Sequence, residues 1–179
     1  MNEYGVLTEP NTVKIERLLP GPIERVWSYL TESDKRGKWL SFGDMDLRVG
    51  GRVEHVFNNS ALTRNDEPPP AKYAQLGGEV RMHGIITAAE PPRLLSYTWA
   101  GDFATGSEVR FELMPKGDKV LLVVTHRRLG GHDELISVSA GWHTHLDILA
   151  DRLSGREPPG FWTTHTRLEA EYERRMPAA

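Results

Sequence analysis

The sequence predicts an α+β fold in which a mainly antiparallel sheet packs against a long C-terminal helix. Three observations support this prediction: a strand and helices open the chain, a run of about six strands follows without intervening helices, and the last third is helical. Strands that follow one another directly pair antiparallel, because parallel pairs need long crossover connections. A chain of 179 residues is expected to form one domain over 1–179.

The first predicted element is a strand over 12–19, where apolar and polar side chains alternate. Pro22 suits the first turn of a helix, because a proline lacks the N–H that would have no partner there. Apolar residues then repeat at helical spacing, at Ile23, Val26, Trp27 and Leu30. A second, short helix is predicted to be capped by Ser33 and to end near 39–40.

From residue 44 onward the apolar period is two, which predicts strands. Residues 45–49 and 53–57 alternate on either side of Gly50-Gly51 and predict a β-hairpin. Further strands are predicted at 79–89, 95–99, 109–113 and 120–126. The last of these is apolar on both faces, which favours a central position in the sheet.

The segment 58–78 between two of these strands is polar and rich in turn residues, with consecutive prolines at 68–70. It is predicted to be an inserted loop without regular structure that emerges at one end of the sheet. Its Tyr73 and Leu76 are apolar enough to close a pocket. A mobile cover is therefore one interpretation, and a solvated excursion that never touches the pocket is the other.

The last third of the chain predicts two helices. In the first, Gly155 marks the end, His143 and Asp147 are expected on the solvated face, and one apolar stripe holds Val138, Trp142, Leu146, Leu149 and Leu153. An extra C-terminal helix is predicted over 161–176, with an apolar stripe of Phe161, Leu168 and Tyr172. Together with 4–10, this stripe predicts either a homodimer interface or packing back onto the same domain.

Composition and charge exclude several classes of protein. The chain has no cysteine, so disulfides, thiolate catalysis and iron–sulfur clusters are excluded. Lys and Arg number 22 against 25 Asp and Glu, a formal net charge of -3 without a basic cluster, so no nucleic acid partner is expected. No apolar run approaches the ~20 residues that span a bilayer, and the start lacks a signal-peptide pattern. A cytoplasmic protein without membrane insertion is expected.

No cofactor, metal site or catalytic residue is predicted. Gly50-Gly51 and Gly77-Gly78 do not lead into a helix that begins with Lys-Ser or Lys-Thr, so they are turn glycines rather than a phosphate loop. His143 and His145 diverge by about 160° on a helix and cannot bind the same metal ion. A Gly-x-Ser-x-Gly nucleophile motif does not occur.

Short motifs spread over most of the chain carry a family resemblance. They are 23–30 followed by Thr31 and Trp39, the hairpin 46–52, the turn and strand 91–99, the strand 120–126, and Gly141-Trp142 followed by Leu146, Leu149, Leu153 and Gly155. In this order they resemble the START-like (SRPBCC) superfamily, the helix-grip fold of the birch-pollen allergen. Within it, the chain is similar to the branch named after the activator of heat-shock-protein-90 ATPase. The segment 58–78 departs from the family pattern.

The resemblance implies a curved antiparallel sheet wrapped around the long C-terminal helix, with an internal hydrophobic cavity between them. Such a cavity would bind a small hydrophobic or amphipathic ligand. The strand and helix faces directed toward it give the candidate ligand-binding residues, which are Trp39, Phe57, Tyr73, Leu76, Met82, Tyr97, Trp99, Phe111, His126, Trp142, His145 and Leu146.

These candidates also have a purely structural interpretation. Trp39, Trp99 and Trp142 are expected both in the core and at the cavity, since the core surrounds the cavity in this fold. His126 continues the apolar alternation of its strand, and His145 lies at the edge of the apolar stripe of its helix. Each is interpreted as a hydrogen-bonding group for a ligand, as a general base, or as a histidine at the core boundary whose partner is a backbone carbonyl or a water.

Three functions are therefore predicted as alternatives. The first is non-catalytic binding of a small hydrophobic or amphipathic molecule. The second is a cyclase-like or hydrolase-like enzyme for a small aromatic or polyketide-like substrate, with His126 or His145 as the acid–base. The third, which rests only on the resemblance, is regulation of a chaperone ATPase.

Overall fold

The computed structural model describes residues 3–99 and 106–178. Its strands and helices, in chain order, are β1 (Val6–Glu9), β2 (Thr12–Pro20), α1 (Ile23–Thr31), α2 (Ser33–Arg36), β3 (Arg52–Phe57), β4 (Val80–Glu90), β5 (Leu94–Trp99), β6 (Ser107–Lys116), β7 (Lys119–Arg127), α3 (His132–Leu153) and α4 (Phe161–Arg175). Two short 3-10 turns, Asn59–Ala61 and Ala71–Leu76, lie between β3 and β4.

Within the described residues, seven strands form one curved sheet in the order β1-β2-β7-β6-β5-β4-β3. All neighbouring pairs are antiparallel. Strands that are consecutive in the chain are neighbours, except that β2 pairs with β7 and β3 lies at the far edge of the sheet. The pairing of β2 with β7 places Val124 opposite Ile15. The predicted α+β helix-grip fold, with the sheet wrapped around a long C-terminal helix, is confirmed.

The strand β7 lies inside the sheet, between β2 and β6, as its apolar composition predicts. Its side chains alternate between buried and half-buried along the strand. Leu122, Val124 and His126 are each at most 1% exposed, because they face the helix side of the sheet. The alternation of β7 therefore directs His126 into the interior.

The core lies between the sheet and α3. Trp142, Leu146 and Leu149 of α3 belong to the same buried cluster as Leu95 and Phe111 of the sheet. Burial of side chains of this size stabilises the fold by about 1.5–3 kcal/mol each. The predicted stripe on α3 is thus the face that packs on the sheet.

The prediction of a solvated face on α3 is wrong for His143, which is only 2% exposed. The helix α4 packs on this side of α3, and the Tyr172 hydroxyl lies 2.9 Å from His143 Nδ1. The ring of Tyr4 also contacts His143, with 4.9 Å between the ring centroids. Asp147 remains at the border of this face, where it accepts a 3.1 Å hydrogen bond from Arg17 Nε.

The apolar stripe of α4 packs within the chain. Phe161, Leu168 and Tyr172 are each at most 2% exposed, and the Tyr172 hydroxyl accepts a 2.7 Å hydrogen bond from the backbone N–H of Gly5. Of the two alternatives for this stripe, intrachain packing is the one observed. The homodimer stays a prediction that now depends on the exposed apolar residues of β1, Val6 and Leu7.

Only the second arm of the predicted hairpin at 45–57 is a strand. The first arm contacts β3 through isolated bridges, from Phe42 to Val56 and from Met45 to Val53. Two causes are visible: Gly43 turns the chain with a φ of 129°, and Arg36 Nη2 donates to the carbonyls of Gly43 and Glu54 at 2.9 and 2.6 Å. These two carbonyls therefore point toward Arg36 and do not form hydrogen bonds between paired strands.

Three smaller expectations also change. Ser33 is the first residue of α2 rather than its cap, and its hydroxyl instead accepts a 2.8 Å hydrogen bond from the Gly43 N–H. The strand β1 was not expected, since all four of its residues are exposed and its sequence does not alternate. The segment 58–78 contains two 3-10 turns, so it is not wholly irregular.

In the part of the chain that the structure describes, none of the helices combines the length and the apolar character required for a membrane span.

Candidate functional site

A pocket of about 290 Å³ lies between the β3–β5 end of the sheet, α3 and the start of α4. We call it the helix–sheet pocket. Its walls are mostly aromatic and aliphatic, with a few polar side chains among them. The lining residues are Leu40, Phe57, Asn59, Tyr73, Leu76, Val80, Met82, Trp99, Ser137, Val138, Gly141, Trp142, His145, Phe161, Trp162 and His165.

One face of α3 forms the long wall of the pocket. The lining residues of this helix are Ser137, Val138, Gly141, Trp142 and His145, which recur at the three- and four-residue spacing of one helix face. Gly141 has no side chain, and a Cβ added there would meet nothing within 4 Å. The middle of this wall is therefore open space rather than packed core.

The segment 58–78, which we call the strap, lines another side of the pocket through Asn59, Tyr73 and Leu76. Near its start, Thr63 Oγ1 accepts a 2.9 Å hydrogen bond from the Phe161 N–H, and Asp66 accepts from the Trp162 N–H at 2.9 and 3.1 Å. These amides open α4 and would have no partner inside the helix. The strap is therefore attached to α4 as its N-terminal cap, and it packs against the pocket.

Removal of the Asp66 carboxylate is expected to loosen this attachment. We predict that Asp66→Ala lowers the free energy of unfolding by about 1–2 kcal/mol, because it removes both a cap and a negative charge at a helix N-terminus. Asp66→Asn, which keeps an acceptor but loses the charge, should lie in between. Urea denaturation measures the effect, with Glu67→Ala as the control on the exposed neighbour. Equal stability of the two alanine variants would contradict this role.

At its other end the strap is bound through Tyr73. The Tyr73 hydroxyl donates to the Glu169 carboxylate of α4 and lies 2.9 Å from Ser137 Oγ of α3. Since a phenol has only one proton, Ser137 donates to Tyr73 in this arrangement. Lys72 forms an ion pair with the same carboxylate. Tyr73 therefore joins the strap to both helices at the edge of the pocket.

His126 does not line the pocket. It is fully buried beneath Trp142, whose Nε1–H donates to His126 Nδ1 at 2.9 Å. His126 Nδ1 is thus unprotonated, and Nε2 donates to Ser107 Oγ at 2.7 Å. Burial lowers the pKa of His126 to about 3, so the ring is neutral. Both of its nitrogens are occupied, and its contacts position the indole of Trp142.

His145 lies in the pocket wall. Its Nδ1 donates to the backbone carbonyl of Trp39 at 2.7 Å, so its Nε2 carries the lone pair. Burial lowers the pKa of His145 to about 4. His145 is therefore a neutral hydrogen-bond acceptor, held in place by the segment that follows α2.

The predicted ligand-binding residues divide into two groups. Those in the pocket wall are Phe57, Tyr73, Leu76, Met82, Trp99, Trp142 and His145. The others form the packed core behind the wall and are at most 1% exposed: Trp39, Tyr97, Phe111, His126 and Leu146. The periodicity of a strand or helix predicts which side chains face the interior. It does not predict which of these are packed in the core and which border the open pocket. Ligand contact by the first group stays a prediction.

The wall formed by α4 was not predicted. Phe161, Trp162 and His165 line the pocket, and Phe161 packs edge-on against Trp162 with 4.9 Å between the ring centroids. The apolar stripe of this helix was visible in the sequence, but its partner was not. The other lining residues that sequence reasoning missed are Leu40, Asn59, Val80, Ser137, Val138 and Gly141.

A second hollow, of about 600 Å³, shares Tyr73 and Ser137 with the helix–sheet pocket. Its remaining walls include charged side chains such as Glu134 and Glu173, so its volume does not make it the better site for an apolar ligand. Over residues 3–99 and 106–178, no three histidine or acidic side chains converge to hold a metal ion.

Comparison with known proteins gives a matching family model and several solved structures of the same fold. Residues 20–154 match the family model of the Activator of Hsp90 ATPase homolog 1-like proteins. A protein from Bordetella parapertussis, solved by solution NMR, has 42% sequence identity to this chain; the match covers 98% of this chain and 91% of that one, with a TM-score of 0.81. Among the curated proteins, none matches the chain significantly.

Two more distant structures share the fold. CalU16 from Micromonospora echinospora is 23% identical, covering 93% of this chain and 89% of that chain, with a TM-score of 0.67. The Aha1 dimer from Colwellia psychrerythraea is 18% identical, covering 79% of this chain and 95% of that chain, with a TM-score of 0.59. The α4 wall of the pocket lies outside the residues that the family model matches.

Proposed function

The chain belongs to the family of Activator of Hsp90 ATPase homolog 1-like proteins, and on this premise we propose that it binds a small, mainly apolar molecule in the helix–sheet pocket. The observation that carries the proposal is the wall itself, where the aromatic rings of Phe57, Trp99, Trp142 and Trp162 surround about 290 Å³. Small-molecule pockets typically measure about 300–1,000 Å³ and combine apolar walls with few polar groups. The volume here lies at the lower limit of that range, so the pocket suits a small ligand.

The contacts of the two candidate acid–base histidines favour binding over catalysis by these groups. His126 lies behind the wall, and both of its ring nitrogens are engaged. His145 lies in the wall, but a backbone carbonyl orients it, whereas a general base is typically oriented by a carboxylate. The contacts of both histidines therefore support binding, rather than acid–base chemistry, as the proposed role of the pocket.

The proposal predicts that filling the space at Gly141 blocks binding without harm to the fold. Gly141→Leu adds a side chain in the middle of the α3 wall, where a Cβ meets nothing within 4 Å. Replacement of a helical glycine also favours the helix by up to about 1 kcal/mol. We therefore expect unchanged or raised thermal stability together with at least a roughly tenfold loss of affinity for an apolar probe.

The measurement uses fluorescence of the neutral probe N-phenyl-1-naphthylamine, with Gly141→Ala as the matched control. Alanine fills little of the space and should retain most of the binding. If Gly141→Leu binds the probe as tightly as the unaltered chain, the probe occupies another surface. If the unaltered chain binds neither this probe nor any other apolar molecule in a thermal-shift screen, the proposed function is wrong.

A further inference from the structure

The polar groups in the walls of the helix–sheet pocket divide into those with partners and those without. Tyr73 and Ser137 bind each other, Trp142 Nε1 donates to His126, and Trp162 Nε1 donates to Ser60 Oγ at 2.9 Å. Two wall residues instead carry a buried polar atom without a hydrogen-bond partner: Asn59 through Oδ1 and His165 through Nδ1. Such atoms are rare in folded proteins and costly unless a ligand or water satisfies them.

His165 is the more deeply placed of the two. Only 5% of it is exposed, its ring stacks on Phe161 at 5.7 Å between centroids, and its Nδ1 lies 3.9 Å from Glu169 Oε2, beyond hydrogen-bond distance. Burial lowers the pKa of His165, although Glu169 and a hydrogen bond to the Ser137 backbone oppose this shift, so the ring is neutral and its N–H has a carbonyl partner. The other ring nitrogen carries the lone pair and can accept a hydrogen bond from a ligand hydroxyl group.

From these unpartnered atoms we infer that the pocket selects neutral aromatic molecules that carry a hydroxyl group, with His165 and Asn59 as the hydrogen-bonding wall residues. The inference rests on the proposed function and deepens it by naming the ligand class. The amide oxygen of Asn59 accepts hydrogen bonds only, and His145 Nε2 is a further acceptor in the same wall. A ligand group that donates a hydrogen bond therefore matches this wall better than one that only accepts.

The charges around the pocket disfavour a carboxylate ligand. Lys72 lies beside the pocket wall, but its ammonium is bound to Glu169. The Glu169 side chain is 10% exposed, and its hydrogen bonds from Lys72 and Tyr73 keep its pKa low despite the opposing effect of burial. This carboxylate is therefore ionised near His165. A ligand carboxylate would lose its hydration without gaining a cation, and it would face a like charge.

The test compares three probes that share one ring system: naphthalene, 2-naphthol and 2-naphthoate. Each competes with N-phenyl-1-naphthylamine for the full chain at neutral pH. We expect 2-naphthol to bind about five- to tenfold more tightly than naphthalene, which corresponds to one added hydrogen bond. 2-Naphthoate should bind more weakly than either.

Two variants test whether His165 and Asn59 cause the preference for 2-naphthol over naphthalene. His165→Phe and Asn59→Leu remove the unpartnered polar atoms at similar size, and each should reduce the preference for 2-naphthol over naphthalene toward unity. The readout is the ratio of the two affinities within one variant, so a change in the packing of the wall, which affects both probes, does not imitate a loss of the preference. The inference is overturned if 2-naphthoate equals 2-naphthol, or if the preference survives in both variants. Failure of all three probes to bind would instead overturn the proposed function.

Discussion

Mild acid is expected to destabilise the fold strongly, because several buried histidines are neutral in the folded protein. Burial lowers the pKa of His55 and of His126 to about 3, and that of His145 to about 4. In the unfolded chain a histidine titrates near pH 6.5. Between these values the unfolded chain binds protons that the folded protein does not, so stability is complete above about pH 7 and is lost as the pH falls.

The magnitude follows from the width of this window. Between about pH 7.5 and pH 5, each of the three histidines is expected to remove about 2 kcal/mol from the free energy of unfolding. Their sum is comparable with the total stability of a typical domain, about 5–15 kcal/mol. His165, whose pKa burial also lowers, acts in the same direction. Urea denaturation at a series of pH values measures the loss.

A histidine variant tests whether His126 contributes to this pH dependence of the free energy of unfolding. His126→Gln keeps hydrogen-bonding groups but cannot be protonated, so the pH dependence between about pH 6.5 and pH 5 should be shallower than in the unaltered chain. His83→Gln is the control, because His83 is exposed on β4 and should leave the slope unchanged. A slope in His126→Gln equal to that of the unaltered chain would refute the assignment.

The sequence predicts well those parts of the fold whose periodicity has a single interpretation. The α3 stripe of Trp142, Leu146 and Leu149 and the alternation of β7 lead directly to the core. The first arm of the hairpin alternates equally well, yet the carbonyl of Gly43 binds Arg36 in place of a neighbouring strand. A pattern of side chains reports which face is apolar, whereas the partner of each backbone group depends on distant residues.

The candidate site was predictable to the same extent. Trp99, Trp142 and His145 follow from elements whose inward face the sequence determines. His165 does not, because the apolar stripe of α4 fits either a partner chain or α3, and only the packing observed decides between them. The attachment of the strap to α4 depends on Thr63 and Asp66, polar residues in a segment where polarity is equally typical of a solvated loop.

The buried arginine of α2 is expected to be the most sensitive polar position in the fold. Arg36 is fully buried, and its guanidinium donates to three backbone carbonyls: Nε to Ser41 at 3.0 Å, and Nη2 to Gly43 at 2.9 Å and to Glu54 at 2.6 Å. Among the described residues, no carboxylate forms an ion pair with it. These bonds hold 41–43 against β3.

Replacement of Arg36 therefore affects both stability and the pocket. Arg36→Met leaves three inward-facing carbonyls without this donor, and we predict a loss of about 3–5 kcal/mol in the free energy of unfolding. Arg36→Lys should recover only part of it, because a single ammonium cannot match a planar fork of donors. Lys38→Met, at an exposed position nearby, controls for the loss of a positive charge.

The same variant should weaken ligand binding, because β3 connects Arg36 to the pocket wall. Glu54 binds Arg36, His55 stacks on Phe57 at 5.4 Å between centroids, and Phe57 lines the pocket. We expect Arg36→Met to bind N-phenyl-1-naphthylamine less tightly even under conditions where it remains folded, whereas Lys38→Met should bind it normally. An Arg36→Met chain within about 1 kcal/mol of the unaltered stability would mean that water replaces the guanidinium at these carbonyls, and that the arginine is not what holds this part of the fold together.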